Sequence, residues 1–303
     1  MSRRPENRAA KYDIKSGFVA IAGAPNSGKS TLLNRMLGKK ISITSGKPQT
    51  TRHRILGVVQ RTASQMVFID TPGVHRSNKA LNVRIVEQAV LALNDVDMAL
   101  FLVDAAAPDP ESEEMLLKKI KGQKKSVVLA LNKIDLIKKP ALASILEIWS
   151  GRFSFAAVIP VSARHGTGVE ILLQVMEKNL PSGPAYFPED VLTDMPERFI
   201  AAEMIREKVF RFTSREVPYS TAVTVENFTK KKNLLEIHAE IHVEHDSQKG
   251  IVIGKNGARL KKIGSEARKE IERMTGNKVF LKLFIRVRKN WSKDAKAIRR
   301  FGY

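Results

Sequence analysis

An α/β domain with a mostly parallel sheet, followed by a smaller α+β module, is the fold class this chain predicts. Three observations carry it. Short apolar runs alternate with amphipathic helical patterns from Gly17 to about Leu180. A proline-rich stretch then breaks the pattern. Beyond it the order becomes helix, two strands, two helices and a strand.

The first domain is expected over residues 1–180. Its strands are read at 17-GFVAIAG-23, 66-MVFID-70, 98-MALFLVD-104, 126-SVVLALN-132 and 156-AAVIPVS-162. These runs are apolar at successive positions rather than alternate ones, which is how strands read when a parallel sheet is covered on both faces. Amphipathic segments such as 80-ALNVRIVEQAVLAL-93 and 168-GVEILLQVMEKNL-180 supply the covering helices. The stretch 181-PSGPAYFPEDVLTDMP-196 holds four prolines and reads as a linker. Residues 197–303 form the second module: a helix over 197–212, alternating strands at 220–228 and 234–243, a helix–GKNG–helix unit, and a strand at 279–287. The last segment, 291-WSKDAKAIRRFGY-303, reads as a short basic helix that docks on the module or on a partner.

Composition narrows the class. A chain of 303 residues can bury two ordinary cores, and 43% hydrophobic with 27% charged residues describes a globular protein. No apolar run is long enough to cross a bilayer, and the polar start MSRRPENRAAKYDIKSG lacks the apolar segment of a secretory signal. Zero cysteines exclude disulfides and thiolate metal sites, so the cytosol is the expected compartment. The net charge of +21 points to a polyanionic partner, either nucleic acid or an anionic membrane surface. Between Lys230 and Arg300 there are 20 Lys and Arg against 8 Asp and Glu, so this segment alone carries +12.

The stretch 23-GAPNSGKS-30 sits between a predicted strand and helix and fits G-x-x-x-x-G-K-S/T. The loop of Gly23, Ala24, Pro25, Asn26, Ser27 and Gly28, with Thr31 on the helix, would surround phosphate oxygens, every residue but Pro25 offering a backbone N–H. Lys29 would reach the β- and γ-phosphates and Ser30 would ligate Mg²⁺. The base would be read at 132-NKID-135. The Asp135 carboxylate accepts two bonds from the guanine ring N–H and amine, which adenine cannot offer. Asn132 would bond the base and hold the phosphate loop, the Lys133 stem would lie on the ring, and Ile134 completes the turn. After the next strand, Ser162 and Ala163 follow, with the Ala163 N–H facing the guanine oxygen. Alone, an Asn-Asp turn would explain 132-NKID-135; its order after the other motifs argues for GTP. Asp70, with Thr71, Pro72 and Gly73, ends its strand so that Asp70 would hold Mg²⁺ through water and the Gly73 N–H would meet the γ-phosphate. In 46-GKPQTTRHR-54 one threonine is expected on Mg²⁺, Thr51 in preference to Thr50.

A second glycine-lysine loop, 254-GKNG-257, spaces its glycines differently and has no hydroxyl residue after Lys255 to take a metal. Between two helices, G-x-x-G is the arrangement by which KH domains clamp single-stranded nucleic acid. Lys255 and Asn256 on the loop, with Arg259, Lys261 and Lys262 on the next helix, are the expected phosphate contacts around Gly254 and Gly257. Ile253 and Leu260 would line a groove for bases, or serve simply as core.

Together these motifs resemble a translation-factor-related GTPase and, with the second module, the bacterial Era family, from about Gly17 to Tyr303. The resemblance implies a GTPase domain joined to a type II KH domain. It implies binding of 16S ribosomal RNA and the small ribosomal subunit, a role in ribosome assembly, and an association with the inner membrane face. Catalysis would rest on Lys29, Thr51, Asp70 and Gly73. Ras-like enzymes place a glutamine after D-x-x-G; here Val74 stands there, so slow intrinsic hydrolysis, accelerated by the RNA or ribosomal partner, is expected. In similar GTPases an asparagine at the position of Asn26 helps bind K⁺; a purely loop-shaping Asn26 is the alternative. A monomer is expected. A tRNA-modifying relative would carry a C-terminal cysteine and a tandem GTPase a second GKS loop, and neither is present. A membrane-surface GTPase with secondary RNA binding remains the competing reading.

Overall fold

The structure is a computed structural model describing residues 14–45, 47, 52, 54–70, 95–123 and 125–301. The expected threonines Thr50 and Thr51, the stretch Thr71 to Val74 and the helical pattern at 80–93 lie outside the described residues.

In the first domain, β1 (Ile14–Gly23), β3 (Ser64–Asp70), β4 (Met98–Asp104), β5 (Ser126–Asn132) and β6 (Ala157–Pro160) run parallel, in the order β3-β1-β4-β5-β6. Helices α1 (Lys29–Leu37), α2 (Pro110–Lys121), α3 (Lys139–Arg152) and α4 (Val169–Asn179) cover it. The continuous apolar runs have the predicted cause. Val19 and Ile21 pack with Leu32 and Leu172 on one face, while Ala20 and Ala22 pack with Phe101, Leu116 and Trp149 on the other.

Two details depart from expectation. Strand β2 (Ile55–Arg61) adds an antiparallel edge beside β3, in register from Ile55↔Asp70 to Arg61↔Ser64. The stretch 181–196 is docked on the first domain rather than spanning free. Its strand β7 (Ser182–Gly183) pairs with Ile14 and Lys15 of β1, and Gln65 accepts from the N–H groups of Tyr186 and Phe187 while donating to Phe187 O at 2.7 Å. Burial explains the docking: Gln65 is wholly enclosed, and its amide would be unsatisfied without this backbone.

The second module follows the predicted order. Helix α5 (Glu197–Phe212) precedes β8 (Ala222–Lys231), β9 (Leu234–Val243), α6 (Asp246–Ile253), α7 (Ala258–Thr275), β10 (Lys278–Val287) and α8 (Ala295–Arg300). The sheet order is β10-β9-β8, with β9 parallel to β10 and antiparallel to β8. The C-terminal segment docks on its own module: Trp291 is buried and its indole N–H donates to Ser220 O at 3.0 Å. Helix α5 is buried at every position from Ile200 to Phe210: it packs on α7 and β8 of its own module, and Lys40, Thr44 and Lys47 of the first domain bond its residues. Its charged residues therefore need partners; Glu203 and Arg206 pair within the helix at 2.6 Å.

Candidate functional site

The phosphate-binding loop leaves β1 at Gly23 and re-enters α1 at Lys29. Gly28 has φ +102°, and a Cβ there would stand 2.2 Å from Asn132 Nδ2, so the turn admits only glycine. That amide in turn donates to Ser27 O at 2.7 Å, and Asn132 Oδ1 accepts from Ala163 N–H at 2.9 Å. Asn132 thus ties three loops together. The expected holding role is visible, but Ala163 N–H, expected to face a base oxygen, is spent on this tie.

Asp135 sits in a short turn after β5. Ser162 Oγ donates to its carboxylate at 2.6 Å, and this bond, with a backbone hydrogen bond and the nearby Arg164 charge, holds Asp135 below the usual carboxylate range. It is therefore a charged acceptor at neutral pH. Lys133, at φ +66°, bonds the Asp104 carboxylate, so its stem is stretched along the cavity wall. Ile134 lies in the turn between them.

Lys29 Nζ donates to Gly23 O at 3.0 Å and to Ala24 O at 2.8 Å. Burial lowers its pKa to about 8. Burial pushes the Asp70 carboxyl up, against donations from Ser42 and Ser30 at 2.7 and 2.8 Å and the Lys29 charge, which pull it down. The other carboxylate oxygen, Oδ1, is buried and without a hydrogen-bond partner among the described residues. A hard-oxygen pair of Ser30 and Asp70, one oxygen of it orphaned, fits a small divalent cation.

A cavity of about 1040 Å³ is lined on the loop side by Pro25, Asn26, Gly28, Lys29, Ser30 and Thr31, and by Asp104, Lys133 and Arg164 toward the base-reading turn, while Asp70, Asn132, Asp135, Ser162 and Ala163 are not part of its lining. The opposite wall was not legible in the motifs. It includes Lys40 and Thr44 from the segment after α1, and Glu207, Arg211 and Glu270 from the second module. Lys40 Nζ pairs with Glu207 at 2.7 Å and Glu270 at 3.0 Å, and Lys208 pairs with the same two carboxylates at 2.9 and 2.7 Å. Burial alone would raise Glu270, but Lys208 and Lys40 outweigh it and hold the carboxyl down. Glu207 also accepts from Thr44 N–H at 3.0 Å, Lys47 caps the carbonyls of Phe210 and Thr213, and Arg52 donates to those of Pro218, Tyr219 and Thr221. Among the described residues after α1, Lys40, Thr44, Lys47 and Arg52 therefore fasten the first domain to the second module at four points.

The second loop lies where predicted, between α6 and α7. Lys255 and Asn256 are exposed, with Asn256 at φ +50° between Gly254 at +72° and Gly257 at +75°. Lys261 is exposed on α7. Arg259 bonds Ile251 O and braces the loop, and Lys262, also exposed on α7, lies 4.8 Å over the Phe212 ring. Leu260 packs against the core, and Ile253 is half-buried.

Residues 18–133 match the model of the 50S ribosome-binding GTPase family, and residues 216–292 match the KH domain model. A GTPase Era from Geobacter metallireducens is 53% identical over 292 residues, covering 96% of this chain and 98% of the relative. This chain belongs to the Era GTPase family. A second Era GTPase, from Geotalea uraniireducens, is also 53% identical, over 291 residues. Among solved structures, Era in complex with MgGDPNP and nucleotides 1506–1542 of 16S ribosomal RNA is 41% identical, with a TM-score of 0.90 over 96% of this chain and 99% of that one. Era Y63A of Aquifex aeolicus bound to GDP.AlF4⁻ is similar to the same degree. As a family member the chain is a GTP hydrolase with a P-loop GTPase domain and a C-terminal KH domain.

Proposed function

We propose that this Era-family chain is a GTP-driven switch that binds single-stranded 16S ribosomal RNA on the small ribosomal subunit and acts in its assembly. The observation that carries the reading is the shared wall of the cavity. The loop that would hold triphosphate faces side chains of the KH module, and Lys40, Glu207, Lys208 and Glu270 join the two across it.

GTP binding would use the loop from Gly23 to Thr31, with Lys29 Nζ leaving the two loop carbonyls for phosphate oxygens. Asp135 would accept from guanine, and Asn132 would keep the loop and base sites in one geometry. Ser30 and Asp70 would hold Mg²⁺, with Thr51 from the segment after α1. When bound, the ion neutralises phosphate charge. Ser42, which bonds Asp70 at 2.7 Å, would share or yield that oxygen. Because Ser42 belongs to the segment fastened to α5, its displacement would pull on the KH module. Gly73 would meet the γ-phosphate. With Val74 beside it, no side chain at that position can orient water, which is why the intrinsic rate should be slow. Asn26 would add a K⁺ site against the same phosphates.

On the KH side, Gly254 to Gly257 would clamp the RNA backbone, with Lys255, Asn256 and Lys261 supplying contacts that give affinity rather than sequence choice. Contact with an anionic membrane face is the second reading, because basic charge serves anionic lipid as well as RNA; no helix among the described residues is long and apolar enough to cross a membrane. Cosedimentation with anionic liposomes against rRNA separates the two surfaces.

Single-turnover GTP hydrolysis, run in K⁺ and in Na⁺ and with or without small subunits, tests the reading. Subunits should accelerate the reaction, and K⁺ should outperform Na⁺. Equal rates with and without subunits would remove the partner from the cycle; equal rates in the two salts would remove the K⁺ site.

A further inference from the structure

The KH sheet has a face turned away from α5 and α7, and it is covered over only part of its extent. At one end Trp291 and Phe301 close over it, the Phe301 ring lying 4.6 Å from that of His242. Along the outer strand β10 the rest is open. Phe280 is 51% and Phe284 39% exposed, and His238 of β9 stands between them with its ring 6.5 Å from each. Two exposed phenylalanines on an edge strand need a reason, since such strands invite aggregation and large exposed rings mark contact surfaces.

The chemistry around the ridge points to a polyanion with planar groups. Lys282 lies between the phenylalanines in sequence, its ammonium 5.1 Å from the Phe284 ring, and Arg286 follows on the same face. The carboxylates there are neutralised in place: Glu236 pairs with Lys231 at 2.5 Å, and Glu240 with Arg286 at 2.9 Å. A purely apolar partner would leave Lys282 desolvated without compensation. A nucleic-acid strand satisfies both rings and ammonium, stacking bases on the rings while a phosphate meets Lys282. Strand β10 is an edge strand whose other face carries α7, with Gly264 set against Leu283, so a strand leaving the GKNG loop reaches the ridge by passing round that edge.

We propose that Phe280, His238 and Phe284 form a second, sequence-tolerant platform for single-stranded RNA, continuing the strand held at Gly254–Gly257. This rests on the RNA-binding reading of the KH module, and the test separates the two.

A KH loop clamps about four nucleotides. Affinities are compared for single-stranded oligonucleotides of about four and about twelve residues, at one salt concentration. The wild-type chain should bind the longer strand more tightly. In Phe280→Ala/Phe284→Ala that gain should fall by roughly five-fold or more per lost stack, with four-residue binding and GTP hydrolysis retained. Phe280→Tyr/Phe284→Tyr should restore it, whereas Phe280→Leu/Phe284→Leu should not. An undiminished gain in the alanine variant overturns the platform. So does unchanged oligonucleotide affinity combined with weakened small-subunit binding, which would assign the ridge to a protein surface. Gly257→Asp tests the loop independently: if it leaves four-residue binding intact, the KH reading fails whatever the ridge does.

Discussion

Burial lowers the Lys29 ammonium to a pKa of about 8 from an ordinary value of 10.5. Between these values the unfolded chain binds a proton that the folded chain does not, so folding stability rises with pH through the window. Below about pH 8 the buried charge costs roughly 3 kcal/mol by the usual conversion. A phosphate ligand reverses the preference, because it interacts with the charged form. Nucleotide affinity should therefore be flat below pH 8 and fall by about tenfold per pH unit above it, with one proton taken up on binding. Titrations of GDP from pH 7 to 9.5 check this, with Lys29→Met as the variant that removes the slope. A pH-independent Kd in the wild-type chain would mean that Lys29 does not meet the phosphates. That Asp70 and Ser30 would meet was legible from their places at the end of a strand and after a Gly-Lys pair, and the two are hydrogen-bonded at 2.8 Å. Ser42, which bonds the same carboxylate, was not, because nothing in 41-ISITSGK-47 distinguishes it from a solvated loop.

Among elements, the two glycines of GKNG separate by cause. A Cβ at Gly254 would stand 2.8 Å from Arg259 Cβ, in a backbone conformation that side chains rarely adopt; at Gly257 nothing lies within 4 Å and only the φ of +75° opposes substitution. Gly254→Ala should therefore cost more stability than Gly257→Ala, which should lose only ~1 kcal/mol. Chemical denaturation of the two variants measures the difference, and equal losses would mean that the Arg259 contact relaxes freely. The parallel strands of the first domain could be read because both faces are buried and the runs are therefore uninterrupted. Strand β2 could not, since its glycine, its glutamine and its terminal arginine dilute the signal and its pairing with β3 is set by a tight turn. Helix α5 was placed correctly, but its Glu203, Arg206, Glu207 and Lys208 look like a solvated face. Glu203 and Arg206 satisfy each other within the helix, whereas Glu207 and Lys208 meet Lys40 and Glu270, which are distant in sequence.

The whole molecule is organised around the contact between its two domains. Proline spacing marked residues 181–196 as a boundary. The docking of that stretch on Gln65 and β1, and the four fastenings of segment 40–52 on the KH module, depend on tertiary approach and leave no local pattern. The central claim is that the nucleotide in the first domain sets the RNA affinity of the second. Its most direct test is the affinity for a single-stranded 16S rRNA fragment with a GTP analogue or GDP bound, in the wild-type chain and in Lys40→Ala. Typical coupling predicts a difference of roughly five- to a hundred-fold between nucleotide states in the wild-type chain, shrinking toward one when Lys40 no longer joins Glu207 and Glu270. Equal RNA affinity in the two nucleotide states of the wild-type chain would contradict the account.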